Sequence, residues 1–66
     1  MKTINLDLTT VDGNAFALLG AFRKQAKREQ WTDDEIKAVL DEAKSGGDYA
    51  YLVATLAEHC DPTENE

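Results

Sequence analysis

The residues best suited to chemistry are His59, Cys60 and Asp61, because a thiol, an imidazole and a carboxylate together can form a nucleophilic centre. Their spacing argues against this use. Consecutive residues of a helix point about 100° apart, so the three side chains cannot form a hydrogen-bonded relay. Cys60 also continues the apolar stripe of the last predicted helix, and we expect it in the core. The sequence therefore predicts no enzymatic activity and no catalytic residue.

Metal and cofactor binding are not expected either. His59 and Cys60 are the only histidine and the only cysteine, and they supply two of the four ligands of a structural zinc site. A single cysteine allows no disulfide within the chain and is typical of a reducing compartment. The longest uncharged apolar stretch, residues 15–22, is too short to span a bilayer, and we see no signal peptide. The sequence predicts a cytoplasmic protein with no cofactor and no membrane contact.

The charged residues suggest two alternative binding surfaces. The 66 residues include 13 carboxylates and 7 lysines and arginines, for a net charge of −6. This balance argues against nucleic acid as a partner, because affinity for a polyanion requires clustered cations. The acids either keep the protein soluble or bind a partner. The candidate partner-binding residues are Asp33, Asp34, Asp41, Glu42 and Tyr51. The alternative, an anion-binding cluster or a complement to a helix dipole, consists of Arg23, Lys24, Lys27 and Arg28.

The N-terminal segment, residues 3–9, alternates polar and apolar residues, which is the pattern of a half-buried β-strand. No second strand follows, so its backbone groups need another partner. The segment either lies over the helices as extended coil or pairs with its copy in a homodimer, and we favour the dimer because a core this small benefits from a second subunit. The residues of the predicted dimer strand are Ile4, Asn5, Leu6 and Leu8.

Three helices are predicted by apolar residues at helical spacing. The first covers about residues 14–29, with Asp12 or Asn14 as N-cap. The second follows the capping box Thr32-Asp33-Asp34-Glu35 and stops at Ser45-Gly46-Gly47, where Gly46 suits a left-handed C-cap. The third follows Asp48 and carries Tyr49 on its core-facing side. We expect Trp31, in the connection, to be buried. Residues 1–61 form one domain, and residues 62–66 form a polar tail that we expect to be disordered.

Three motifs carry a resemblance to other proteins. The run Val11-Asp12-Gly13-Asn14-Ala15-Phe16-Ala17-Leu18-Leu19-Gly20-Ala21 resembles the opening of a group of short proteins found in bacteria, phages and prophages. Residues 31–36 and the segment Ser45-Gly46-Gly47-Asp48-Tyr49 followed by Leu52 are similar to the same group, over about Thr9 to Leu56. The group has one glycine before the Asp-Tyr pair where this chain has two. It has no established activity, so the resemblance implies no functional residue. It implies an origin in a mobile element.

The expected fold is mainly α (α+β), with an N-terminal β-strand followed by three α-helices and the strand paired across a homodimer. The expected function is that of a small acidic module that binds an unidentified host protein, as a phage- or prophage-type modulator acting by protein–protein contact, with a defence system as one target. Two alternatives stay open. A strand followed by helices is the plan of ribbon-type DNA-binding regulators, and a structural or assembly subunit would use the same self-contact.

Overall fold

The computed structural model describes residues 2–62, and this range contains three α-helices. Helix α1 spans Ala15–Arg28, α2 spans Asp33–Ser45 and α3 spans Tyr49–Glu58. A short 3-10 turn, Leu8–Thr10, precedes them. Each helix packs against the other two, with the most extensive contact between α2 and α3. The three predicted helices are thus present, and the observed ends of α1 lie one residue inside the predicted ones.

Each helix begins at a side chain that satisfies its first free amides. The Asn14 side chain accepts hydrogen bonds from the amides of residues 16 and 17, at 2.8 and 3.3 Å. Thr32 and Glu35 form the predicted capping box, since the Thr32 hydroxyl accepts from the Glu35 amide at 3.1 Å and the Glu35 carboxylate accepts from the Thr32 amide at 2.8 Å. Asp48 accepts from the Tyr51 amide at 2.7 Å. The sequence therefore predicted the caps of α2 and α3, and of its two candidates for α1, Asp12 and Asn14, the structure uses Asn14.

The core lies between the three helices and the N-terminal segment. Phe22, Ile4 and Leu56 are its largest fully buried side chains. Trp31 is buried as expected and meets the Phe22 ring edge to face, with centroids 5.7 Å apart. The remaining buried apolar residues are Leu18, Ala26, Ile36, Val39, Ala43 and Leu52. The connection after α1 therefore anchors the helices by burying its tryptophan.

The prediction of an N-terminal β-strand is wrong. Among residues 2–62 the segment forms only an isolated parallel bridge, between Ile4 and Cys60. The Ile4 amide donates to the His59 carbonyl at 2.8 Å, and the Ile4 carbonyl accepts from the Asp61 amide at 2.8 Å. The chain then bends into the 3-10 turn, where the Asp7 carboxylate accepts from the Thr9 amide at 2.9 Å. The described chain is an all-α, three-helix fold, not α+β.

The residues of the predicted dimer strand contact their own chain. Ile4 is buried, and Leu6 and Leu8 are partly buried against the helical core. The Asn5 amide donates to the Glu29 carboxylate at 2.7 Å. Alternating polarity here reflects an extended segment with one side on the helices, the alternative that we did not favour. The homodimer predicted through this segment loses its structural basis, because the Ile4 backbone is already bonded within the chain.

Two predictions for the second half of the chain are wrong, and a third concerns residues that the structure does not describe. Tyr49, expected on the core side of α3, has 51% of its surface exposed. Gly46 has a right-handed φ of −77°, and Gly47 takes the left-handed conformation with φ of +77°. Residues 63–66 of the predicted disordered tail lie outside the described residues.

Candidate functional site

We expected His59, Cys60 and Asp61 on the last helix, but all three follow the end of α3. His59 Nδ1 lies 2.9 Å from the Lys2 carbonyl oxygen, and its ring stacks edge-on against Phe22 and Trp31. The Cys60 thiol is half-buried and packs against the core, largely as predicted. Burial, helped by the negative charge of Glu29, raises the pKa of Cys60 to about 11. This environment disfavours the thiolate, which is the reactive form of cysteine.

Residues 2–62 offer neither a metal-binding cluster nor a membrane-spanning helix. No three His, Cys, Asp or Glu side chains in this range come together in a way that could hold a metal ion. In the same range, each helix is too short or too polar to cross a membrane.

The five candidate partner-binding residues do not form one cluster. Asp33 pairs with Lys27 across the α1–α2 contact, at 3.2 Å. Asp41 pairs with Lys37 one turn earlier on α2, at 2.6 Å. This hydrogen bond lowers the pKa of Asp41 and raises that of Lys37. Two of the predicted acids are therefore partly neutralised by neighbouring lysines.

The structure does bring together Glu42 and Tyr51, two of the five candidate partner-binding residues. The Tyr51 hydroxyl donates to the Glu42 carboxylate across the α2–α3 contact. This bond raises the pKa of Tyr51, because losing the hydroxyl proton would put two negative charges side by side. Tyr51 keeps 38% of its surface exposed, whereas Asp34 lies two turns away at the start of α2. The pair holds α2 and α3 together at their surface.

The four candidate anion-binding residues are exposed on α1 but do not form a uniform positive patch. Arg23 lines a groove of about 360 Å³ in which cations and carboxylates of α2 alternate. Lys27 is paired with Asp33, whereas Lys24 and Arg28 lie on a different side of α1, since they follow residues 23 and 27 by about 100°. The groove is lined by Arg23, Asp33, Ile36, Lys37, Leu40, Asp41 and Lys44.

An apolar groove that the sequence did not predict lies at the other end of α1. Phe16, in the first turn of α1, has 84% of its surface exposed. It borders a hollow of about 310 Å³ between the starts of α1 and α3 and the end of α2, which we call the Phe16 groove. The groove is lined by Ala15, Phe16, Leu19, Ala43, Lys44, Gly47, Asp48, Tyr49 and Leu52. A concave, mostly apolar hollow bordered by an exposed aromatic ring has the form of a binding site.

The local sequence explains why these side chains meet there. The buried residues of α1, Leu18, Phe22 and Ala26, follow one helical stripe, and Phe16 lies beside that stripe. The Tyr49 hydroxyl donates to the Gly13 carbonyl, which ties the start of α3 to the loop before α1. A large aromatic residue off the buried stripe was the one signal in the sequence that could have pointed to this groove.

The charges around the Phe16 groove are balanced. Its lining includes one cation, Lys44, and one carboxylate, Asp48. Lys44 also lines the groove of alternating charges beside Arg23, so the two hollows adjoin at this residue. The N-termini of α1 and α3, the positive ends of their dipoles, lie at the same end of the molecule. The groove thus lacks the negative excess of the chain as a whole.

Comparison with known proteins identified no match for the chain, among family models, curated proteins or solved structures.

Proposed function

We propose that the protein acts by binding another polypeptide at the Phe16 groove. The observation that carries this proposal is the 84% exposure of Phe16 beside an apolar hollow of about 310 Å³. Removing a phenylalanine side chain from water contributes about 1.5–3 kcal/mol. Exposed aromatic residues next to a pocket are typical anchors of protein–protein contacts. A partner that covers this groove would gain that energy without requiring a change in the buried core.

Binding is favoured over catalysis by the state of the thiol. Cys60 is the side chain best suited to nucleophilic attack, and its pKa of about 11 keeps it protonated at neutral pH. It also packs against the core on its own side of the molecule, next to Leu6, Leu8 and Pro62, and does not line the Phe16 groove. The groove offers shape and apolar surface, which suit recognition.

The resemblance to short phage and prophage proteins suggests the setting. In that setting the partner is a host protein, and covering one of its surfaces would modulate its activity; a component of a defence system is one target of this class. The net charge of −6 would speed encounter with a partner that carries a basic region near its contact surface.

The ribbon-type DNA-binding alternative required a strand paired across a dimer, and the described residues contain no strand. That alternative therefore loses its structural basis. A structural or assembly role differs from modulation in requiring contact only with copies of the chain itself. The affinity capture described next separates the two roles.

The proposal is tested by affinity capture from a nuclease-treated bacterial lysate with the tagged parent protein and two variants. Phe16→Asp removes the exposed ring, and an aspartate in the first turn of α1 is compatible with the helix dipole. Arg28→Gln is the matched control, because it also makes the net charge more negative by one but lies at the other end of α1.

We expect specific proteins to be retained by the parent and by Arg28→Gln and to be lost with Phe16→Asp. Circular dichroism checks that the variants remain helical. If a folded Phe16→Asp variant retains the same proteins as the parent, the groove is not the binding surface. If the parent retains only its own untagged copies, the modulator role fails and an assembly role replaces it.

A further inference from the structure

We infer that the free protein associates with a second copy of itself through the Phe16 groove, in a two-fold symmetric dimer. This inference rests on the proposed function, because it names an occupant of the same groove. It differs from the dimer predicted from the sequence, which used the N-terminal segment. Phe16 of each copy enters the groove of the other, so that both exposed rings are buried together.

The first argument is the shape of the surface. Phe16 projects from the rim of the same hollow that it lines. A two-fold interface uses one patch twice, so that patch must contain both the projecting group and the cavity that receives it. The Phe16 groove contains both the projecting Phe16 ring and a cavity, within one turn of α1 and the facing start of α3. The exposed part of Tyr49 lies beside the cavity and extends the apolar contact.

The second argument is charge. Two copies that each carry −6 repel one another, so they can approach closely only through a face without negative excess. The two adjoining grooves form such a face, because their three cations balance their three carboxylates. These are Arg23, Lys37 and Lys44 against Asp33, Asp41 and Asp48. Since the charges that line the two grooves sum to zero, the whole net charge of −6 lies elsewhere on the chain.

The same charges favour a second copy over other occupants. A two-fold axis allows Lys44 of one copy to meet Asp48 of the other, twice. A strongly basic peptide would face Lys44 and the positive ends of α1 and α3. A strongly acidic peptide would be repelled by the net negative charge of the chain. A surface with one charge of each sign matches the groove best, and the protein itself has that surface.

The size of the patch sets the strength of the dimer. A typical stable interface buries about 800 Å² on each partner. That is about a fifth of the 4269 Å² surface of this molecule and takes about 20–30 residues a side, whereas nine residues line the Phe16 groove. The dimer is therefore weak and depends on concentration. Because the partner and the second copy need the same groove, self-association competes with partner binding.

The test is sedimentation velocity on the parent protein, from about 0.02 to 1 mM, in low salt and in about 0.5 M NaCl. We expect the mass to rise from the 7.3 kDa monomer toward twice that value with concentration. Higher salt should strengthen association, because it screens the repulsion between two copies of charge −6. Phe16→Asp should weaken association at least about tenfold, and Arg28→Gln should associate like the parent.

Nuclear magnetic resonance locates the contact. On dilution of the labelled parent, we expect amide shifts to change around Phe16, Leu19 and Tyr49. Shifts that change only around the N-terminal segment would overturn the inference, and so would a parent that stays monomeric at about 1 mM in both salts. Equal association of the parent and Phe16→Asp would also overturn it.

The outcome separates this inference from the proposed function. A monomeric parent whose captured proteins are lost with Phe16→Asp would overturn the dimer and support partner binding at the groove. A dimer lost with Phe16→Asp, while the captured proteins stay unchanged, would support the dimer and overturn partner binding at the groove.

Discussion

At the scale of single residues, Gly46 is required for space. A Cβ added at Gly46 would lie 2.1 Å from Cδ2 and 2.8 Å from Cβ of Tyr51, far inside van der Waals contact. Tyr51 packs against this backbone while its hydroxyl donates to Glu42. The close approach of the end of α2 to Tyr51 therefore depends on the missing side chain.

We predict that Gly46→Ala lowers the free energy of unfolding by about 1–3 kcal/mol, the usual cost of forcing an extra group into a packed site. The matched control is Gly20→Ala, where an added Cβ has open space in the middle of α1. This control should raise the free energy of unfolding by about 0.5–1 kcal/mol. Urea unfolding followed by circular dichroism measures both. Equal effects at the two glycines would contradict the packing at Gly46.

Cys60 should react slowly while the protein is folded. Its pKa is raised to about 11 by burial and by Glu29, so little thiolate exists at pH 8. The protonated form is favoured in the fold; its contribution to stability is present below the ordinary cysteine pKa and is lost as the pH rises toward about 11. We predict that iodoacetamide modifies Cys60 more slowly in buffer than in urea, as measured by mass spectrometry. Equal rates at pH 8 would show that the thiol is not shielded.

At the scale of elements, α1 ends in a Schellman motif without glycine. The Trp31 amide donates to the Ala26 carbonyl and the Gln30 amide to the Lys27 carbonyl, both at 3.0 Å. Gln30 takes a left-handed φ of +69°, which is costly for a residue with a side chain. The motif turns the chain so that Trp31 enters the core.

Gln30→Gly is expected to raise the free energy of unfolding by about 1 kcal/mol, because glycine adopts the left-handed conformation without steric cost. Lys24→Gly, at an exposed position inside α1, is the control and should lower it by about 1 kcal/mol. Thermal and urea unfolding would measure the two changes. A loss of stability with Gln30→Gly would contradict the strained C-terminal turn.

The N-terminal segment is tied to α2 by an ion pair. Lys2 Nζ lies 2.8 and 2.9 Å from the two Glu35 carboxylate oxygens and 5.0 Å from the centre of the Trp31 ring. The hydrogen bond from Lys2, followed by that from the Thr32 amide, lowers the pKa of Glu35. Glu35 therefore joins two elements, as part of the capping box and as the partner of Lys2.

We predict that Glu35→Gln lowers the urea midpoint at pH 7. A lowered folded pKa gives stability that is present above the ordinary glutamate pKa and lost as the pH falls through the folded value. The difference between parent and Glu35→Gln should therefore shrink in acid. Glu58→Gln, at the end of α3, is the control for removing one charge. A difference that persists unchanged at low pH would contradict the ionic role of Glu35.

At the scale of the whole molecule, the sequence predicted the helices and most of the core, because these depend on local patterns. Apolar spacing located α1 and α2, and the caps Thr32 and Asp48 marked the starts of α2 and α3, while α1 had Asp12 and Asn14 as alternative caps. The N-terminal segment was mispredicted because alternating polarity occurs both in strands and in extended chain lying on helices. Ile4 forms its backbone bridge opposite Cys60, which is 56 residues away in sequence, and no local pattern reveals that pairing.

The candidate site was less predictable for the same reason. The Phe16 groove requires α1, the end of α2 and the start of α3 to meet, and only the packed structure brings them together. The pairing of Lys27 with Asp33 likewise depends on how α1 approaches α2. Tyr49 was expected in the core, but its hydroxyl reaches the Gly13 carbonyl at the surface.

The central claim, that the protein works by contact through the Phe16 groove, is tested most directly by photo-crosslinking in cells. A benzoyl-phenylalanine placed at position 16 is compared with one at position 24, which is exposed two turns further along α1 and does not line the groove. The account predicts covalent adducts at position 16, with a second copy, a host protein or both, and few at position 24. Adducts of equal yield at both positions, or none at position 16, would contradict it.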